Sequence, residues 1–201
     1  MEGLSFKNFV NPLLILLVVL SNTKPSLASR DLAPKPNTDF IRTSCSATIY
    51  PRICFSSLLR HADSIQTSPK VLTATALNVT LAAAKSTSAL FLNLSQSHGL
   101  KPREIGAMKD CLEVLSDSVN ELRESIAEMG KLNGSDFQDI MNDIETWVSA
   151  ALTDEDTCTD GFEGKAMNGN VKNDVRKLIL DIAHMTSNAL ALINKYASLH
   201  G

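Results

Sequence analysis

Apolar residues recur at alternating spacings of four and three in several long stretches of this chain, the period that keeps one face of an α-helix turned inward. The clearest stretch runs from about Arg103 to Leu132, where Met108, Leu112, Leu115, Val119, Leu122, Ile126 and Met129 keep step throughout. Its other faces carry Glu113, Asp117, Asn120, Glu121, Arg123, Glu124 and Glu128, a solvated side, with Cys111 at the stripe's edge. Before it, Ser68-Pro69 opens a segment reaching about Ser97, since the serine can cap a helix and the proline loses no hydrogen bond in the first turn. Leu77, Leu81, Ala84, Ser88 and Phe91 form its inward row, and Gly99 and Pro102 then reverse the chain. Asn133-Gly134 makes the next turn. Ser135 can cap a third segment, Asp136 suits its positive end, and Phe137, Ile140, Ile144, Val148 and Ala151 face inward. A fourth, about Asn170 to Leu199, repeats the pattern with Val171, Val175, Leu178, Ile182, Met185, Ala189, Leu192, Tyr196 and Leu199.

Amphipathic helices joined by short turns predict an all-α fold, an antiparallel up-down-up-down four-helix bundle over residues 68–200. Two shorter helical pieces precede it, about Asp39 to Thr48 and Arg52 to Asp63, broken at Tyr50-Pro51 because proline disfavours a helical residue before it. They make residues 38–66 a helical hairpin, and 38–201 one domain. Between the third and fourth segments the chain changes character. Trp147, Val148, Ala151 and Leu152 continue an apolar face, after which four acids and Cys158 crowd into Asp154 to Asp160, and Gly161 and Gly164 discourage further helix. The expectation is a helix ending near Leu152, followed by an acidic loop.

The N-terminus reads as a targeting segment. Lys7 precedes an apolar core from Leu13 to Leu20, and Ser26-Leu27-Ala28 places small residues at minus three and minus one, the marks of a signal peptide over residues 1–28. That core is too short to span a bilayer, and no later run approaches the roughly 20 apolar residues of a membrane helix. Residues 29–37, with two prolines and no apolar period, read as a mobile arm. Removal of Lys7, Lys24 and Glu2 with the signal takes the formal charge from −3 to −4. No basic cluster suggests nucleic acid. A secreted, extracellular chain is expected.

In that compartment four cysteines point to disulfides, with three pairings open. The short spacing of Cys45 and Cys54 across the hairpin break makes them the simplest pair, adding about 2 to 3 kcal/mol in the loop-entropy model. Cys111 and Cys158 then remain, and their bond would tie the acidic loop onto the second bundle helix for about 4 kcal/mol. Secretion also gives meaning to three glycosylation sequons, at Asn78, Asn93 and Asn133. Asn78 and Asn93 fall outside the inward row of their helix.

Little here supports catalysis. A calcium loop starting at Asp156 would set Gly161 correctly but put Cys158 where an oxygen ligand belongs and Met167 in place of the final glutamate. His61, His98, His184 and His200 are scattered, without metal-ligand spacing. No Gly-x-Ser-x-Gly elbow occurs, and paired cysteines cannot act as nucleophiles. Asp139 and Asp143, one turn apart on a helix surface, lack the burial that raises an acid's pKa for glycosidase work. Neither a catalytic residue, a metal site nor a cofactor is expected. Function must then come from a surface, and the candidate is a polar stripe of Asp139, Asp143, Thr146 and Ser149 on the third helix beside Glu113 and Asp117 on the second.

The run from Thr146 to Gly164, with the cysteine hairpin and the placing of the third and fourth cysteines, resembles the plant pectin methylesterase inhibitor family, whose fold is shared with invertase inhibitors and with pectin methylesterase pro-regions. The resemblance spans about Asp39 to Leu199. It implies disulfides Cys45–Cys54 and Cys111–Cys158, and a non-enzymatic inhibitor of the apoplast and cell wall that binds pectin methylesterase one to one and covers its active-site cleft with bundle helices. Partner-binding residues would then be Glu113, Asp117, Asp139, Asp143 and Thr146. A pro-region would need a catalytic domain beyond Gly201, so an independent inhibitor is expected. The invertase-inhibitor branch carries Pro-Lys-Phe near the start of the third helix, where this chain has Ser135-Asp136-Phe137. Acid invertase is therefore the alternative partner. A helical carrier of apolar ligands is a further alternative, set against the filled stripes of Leu, Ile, Val and Met.

Overall fold

The computed structural model describes residues 36–132, 136–163 and 170–200. Every regular element among them is helical. Helix α1 spans Pro36–Cys45 and α2 spans Pro51–Leu58, the proline occupying the first turn of α2. A 3₁₀ turn, Leu59–His61, and a single helical turn α3, Ala62–Ile65, complete the hairpin region. The long helices are α4 (Pro69–Ser95), α5 (Pro102–Gly130), α6 (Phe137–Gly161) and α7 (Asn170–Ser198). Ser68 caps α4 by accepting from the Val71 amide at 3.3 Å, and Lys101 N donates to Glu104 Oε2 at 2.8 Å at the start of α5. Between them Gly99 adopts φ 93°, backbone that L side chains resist.

Each long helix packs against the next, and α7 closes back on α4, so sequence neighbours are spatial neighbours in an up-down-up-down order. The inward rows are buried much as their period requires, with Leu77, Ala84, Phe91, Met108, Leu115, Leu122, Ile144, Val148, Val175, Ile182 and Ala189 withdrawn from solvent, except that Leu199, just past the end of α7, is exposed. No described helix is long and apolar enough to cross a membrane.

Three boundaries differ from the sequence reading. Helix α1 starts at Pro36 and stops at Cys45, so Pro36, within the expected arm, opens a helix and Ser46–Thr48 form turns and a bend, while the expected signal peptide and residues 29–35 of the arm lie outside the described residues. The second hairpin piece is broken into α2, the 3₁₀ turn and α3 rather than continuous. The largest difference is in α6, which does not end near Leu152 but continues through the acidic run to Gly161. The inward spacing Val148, Ala151, Glu155, Cys158 keeps the helical step, and the Thr153, Thr157 and Thr159 hydroxyls bond the carbonyls one turn back, as side chains within a helix do. Cys158 is therefore on a helix. Its disulfide to Cys111 joins α6 to α5 directly, with Cα atoms 4.5 Å apart, while Cys45–Cys54 closes the hairpin. Ser135, Gly164 and the sequon at Asn133 lie outside the described residues; Asn78 and Asn93 are exposed on α4.

The core is divided in two. One apolar cluster, at the hairpin end, includes Ile41, Leu58, Leu77, Leu122, Val148 and Ile193; the other gathers Phe91, Met108, Leu115, Phe162 and Val175 around Cys111–Cys158. Between them lies a polar step. Ser118 on α5 and Thr186 on α7 donate their hydroxyls to Glu155 Oε1 at 2.9 and 3.0 Å, and all three residues are fully buried. One carboxyl thereby links three helices.

Candidate functional site

The hairpin is set against α7 by a side chain that mimics backbone pairing. Tyr50 N donates to Asn188 Oδ1 and Asn188 Nδ2 donates to Tyr50 O, both at 3.0 Å, while the Tyr50 ring stacks on His184 with centroids 3.7 Å apart. This fixes the hairpin on the α4 and α7 side, leaving the outer faces of α5 and α6 as the long helical surface to consider.

All five candidate partner-binding residues are exposed there, but the packing register separates them. Helices α5 and α6 run antiparallel, with Cys111 against Cys158, Ser118 against Glu155, and Lys131 within the field of Asp143. Asp117 therefore sits by Asp154, at the disulfide half, whereas Asp143 sits by Lys131, near the other end. Asp143 and Asp154 are eleven residues apart (154 minus 143), about 16 Å along the axis. The register sets the candidates in two patches along the pair of helices: Glu113 and Asp117 in one, and the α6 stripe of Asp139, Asp143, Thr146 and Ser149 in the other. Helix surfaces are visible in a sequence, but the register between helices is not.

Around Asp143 the charges alternate. Lys131 Nζ pairs with Glu128 Oε1, and that hydrogen bond, followed by the charges of Glu128, Asp143 and Glu124, raises the lysine pKa above its ordinary value. Thr146 donates to the Asn142 carbonyl at 2.8 Å and lines a shallow hollow with Asn142, Glu145 and Ser149. Beside it stands Trp147, 39% exposed. The sequence reading placed Trp147 with the apolar inner face; the structure turns it to the surface, one residue off the buried Ile144–Val148–Ala151 row. Asp139, Asp143, Thr146 and Trp147, at i, i+4, i+7 and i+8, share one outer face of α6.

The second patch is of another kind. Burial first, then the charge and hydrogen bond of Asp154 and the charge of Asp117, push the Glu121 carboxyl up to about 7. Burial also raises Asp154, with Asp117 adding to it. Glu121 and Asp154 thus face one another across α5 and α6, partly withdrawn from water. Glu155, one residue along, is driven by desolvation to about 8, opposed by its bonds from Thr186 and Ser118. The acidic run is consequently a solvated face plus a buried carboxyl whose pKa burial raises, not a solvated loop.

Among the described residues no cluster of histidines, cysteines and acids could hold a metal ion. Space within the core beside Leu58, Ala76 and Ala189 amounts to about 10 Å³, scarcely room for one water. A larger apolar cleft of about 290 Å³ lies outside the bundle, between α1 and the ends of α4 and α7. The fold is a helical bundle with a filled core and polar outer faces on α5 and α6.

Comparison with known proteins names the class. Residues 39–192 match the model of the plant invertase/pectin methylesterase inhibitor family, and the chain belongs to that family. It is 47% identical over 185 residues to pectinesterase inhibitor 11 of Arabidopsis thaliana, covering 90% of each chain, and 45% identical over 168 residues to a 21 kDa protein of Daucus carota, covering 82% of this chain and 87% of the relative. It is also 47% identical over 165 residues to pectinesterase inhibitor 10 of Arabidopsis thaliana, of which it spans about half, 52% of the length, over 81% of its own. The fold is that of a solved Arabidopsis pectin methylesterase inhibitor, a mutant form, with a TM-score of 0.62 at 22% identity over 77% of this chain and 95% of that one. Family and fold are those of an inhibitor, not an enzyme.

Proposed function

We propose that this chain is a secreted inhibitor of plant pectin methylesterase, acting in the cell wall by forming a 1:1 complex that covers the enzyme's active-site cleft. The observation that carries this reading is the outer face of α6, where Trp147 stands partly exposed beside Asp139, Asp143 and Thr146. An inhibitor can block an enzyme by burying surface over its cleft, and stable interfaces bury about 1,600 Å² in total around a few aromatic or arginine anchors. Helix α6, 25 residues long, extends for about 37 Å and is long enough for such a footprint. Relatives named as pectinesterase inhibitors support the choice of target, and the signal-like residues 1–28 support the wall as its place of action.

Titration of the purified chain against a pectin methylesterase and an acid invertase in parallel tests this. Stoichiometric loss of esterase activity at one inhibitor per enzyme, with invertase unaffected, is the expected result. Inhibition of invertase alone would overturn the assignment of target.

A further inference from the structure

An open groove of about 850 Å³ runs between the hairpin and the bundle, and a glycosylation sequon forms part of its wall. Asn78 stands on the α4 side, Ile53 and Arg60 on the hairpin side, and Asp181 and Met185 on the α7 side. We propose that this groove seats the core sugars of an N-glycan on Asn78, which bridge the hairpin to the bundle. The proposal rests on the secretion stated above.

The walls suit N-acetylglucosamine. Ile53, Val79 and Met185 offer apolar surface to the carbohydrate ring face. Arg60 and Asp181 offer a donor and an acceptor to its hydroxyl and acetamido groups, and neither has a hydrogen-bond or ion-pair partner among the described residues. The attachment geometry fits too. Asn78 Nδ2 carries two hydrogens and uses one to hold the Ala74 carbonyl at 2.8 Å, so the other can be replaced by a sugar while the first keeps the side chain in place. In the transfer, the amide nitrogen forms a bond to the anomeric carbon of N-acetylglucosamine, the bond from that carbon to the lipid diphosphate donor breaks, and the amide proton leaves to the medium as the diphosphate departs with the electron pair. Thr80, the third sequon residue, is buried and its hydroxyl already bonds the Ala76 carbonyl at 2.8 Å, so the modification precedes folding of α4. The groove lies across the bundle from the outer face of α6, and a glycan there leaves that face open.

The test is expression of the full chain in a glycosylating secretory host, glycopeptide mapping, and amide hydrogen exchange over residues 53–61. Asn78 is expected to be occupied, with exchange in that segment several-fold slower than in Asn78→Gln and than in the same protein after native enzymatic deglycosylation, and unchanged in Asn93→Gln. Inhibition should be the same in all forms. Secretion with Asn93 modified and Asn78 bare would overturn the seat while leaving secretion standing, and equal exchange with and without the glycan would overturn the bridge. A chain retained inside the cell with every sequon bare would overturn both this proposal and the secretion it rests on.

Discussion

The Asn188 amide satisfies both backbone groups of Tyr50, from across 138 residues of sequence, and it is the polar tie between the hairpin and α7. Asn188 is itself 3% exposed, and its removal strands the Tyr50 N–H at a partly buried junction, while the Tyr50 carbonyl keeps its bond from the Cys54 amide at 3.0 Å. Replacement Asn188→Ala should cost about 1 to 3 kcal/mol, the penalty for unpaired buried polar groups, and should speed amide exchange across Thr48–Leu58 more than in α5. Uniform acceleration through the whole chain would mean that the hairpin has no separate opening.

Glu155 should make the fold weaken as pH rises. Its carboxyl is held near 8 in the folded chain against 4.5 for the free side chain, so the folded state holds the proton more tightly. Stability from this group is complete below about 4.5 and falls through the interval up to about 8, by at most about 1.4 kcal/mol per pH unit. Glu155→Gln keeps an oxygen for Ser118 and Thr186 but cannot ionise. Its melting temperature should change less between pH 5 and 8 than that of the wild type. Glu121→Gln should remove only the part below about 7, where its own raised carboxyl titrates. Identical pH profiles for wild type and both variants would reject this assignment of the protons.

The bundle was legible because Met108 through Met129 and their counterparts keep a 3.6-residue period that only a one-sided helix needs. The last part of α6 was not, since Thr-Asp-Glu-Asp-Thr-Cys-Thr-Asp is polar at nearly every position and glycine follows it. A signal was present in the spacing: Glu155 and Cys158 prolong the Val148–Ala151 row, which places a carboxyl in the core. Trp147 and the two acidic patches were illegible for another reason. Exposure at the edge of a stripe, and which turn of α5 meets which turn of α6, depend on packing between helices and not on the period of either.

The two disulfides should differ in weight. Cys111–Cys158 closes a loop of 47 residues and Cys45–Cys54 one of 9, giving about 4 against 2 to 3 kcal/mol in the loop-entropy model. Cys158 is also buried in the cluster with Phe91 and Phe162, where a serine hydroxyl would be poorly accommodated. Thermal melts of Cys158→Ser should therefore fall further than those of Cys54→Ser. An equal or smaller loss would show that joining α5 to α6 adds little beyond their packing.

Separation of the acidic residues into two patches makes the inhibitory surface divisible by mutation. If Trp147 anchors the complex, Trp147→Ala should weaken inhibition of a pectin methylesterase by about 2 kcal/mol or more, roughly thirtyfold, since truncating a central aromatic anchor costs that much in other interfaces. The melting temperature should fall as well, because the residue is only 39% exposed and the rest of its surface packs in the free protein, so inhibition is compared at equal amounts of folded protein. Asp139→Asn with Asp143→Asn should act more mildly and differently: charges at a rim mainly steer encounter, so association should change along with its dependence on salt. Glu113→Gln with Asp117→Asn, on the other patch, should leave inhibition intact. The three sets can be compared in one titration series at two salt concentrations. Loss of inhibition in the Glu113 and Asp117 variant with retention in the Trp147 variant would place the enzyme on the disulfide half of α5 and α6 and reject the outer face of α6 as the binding surface.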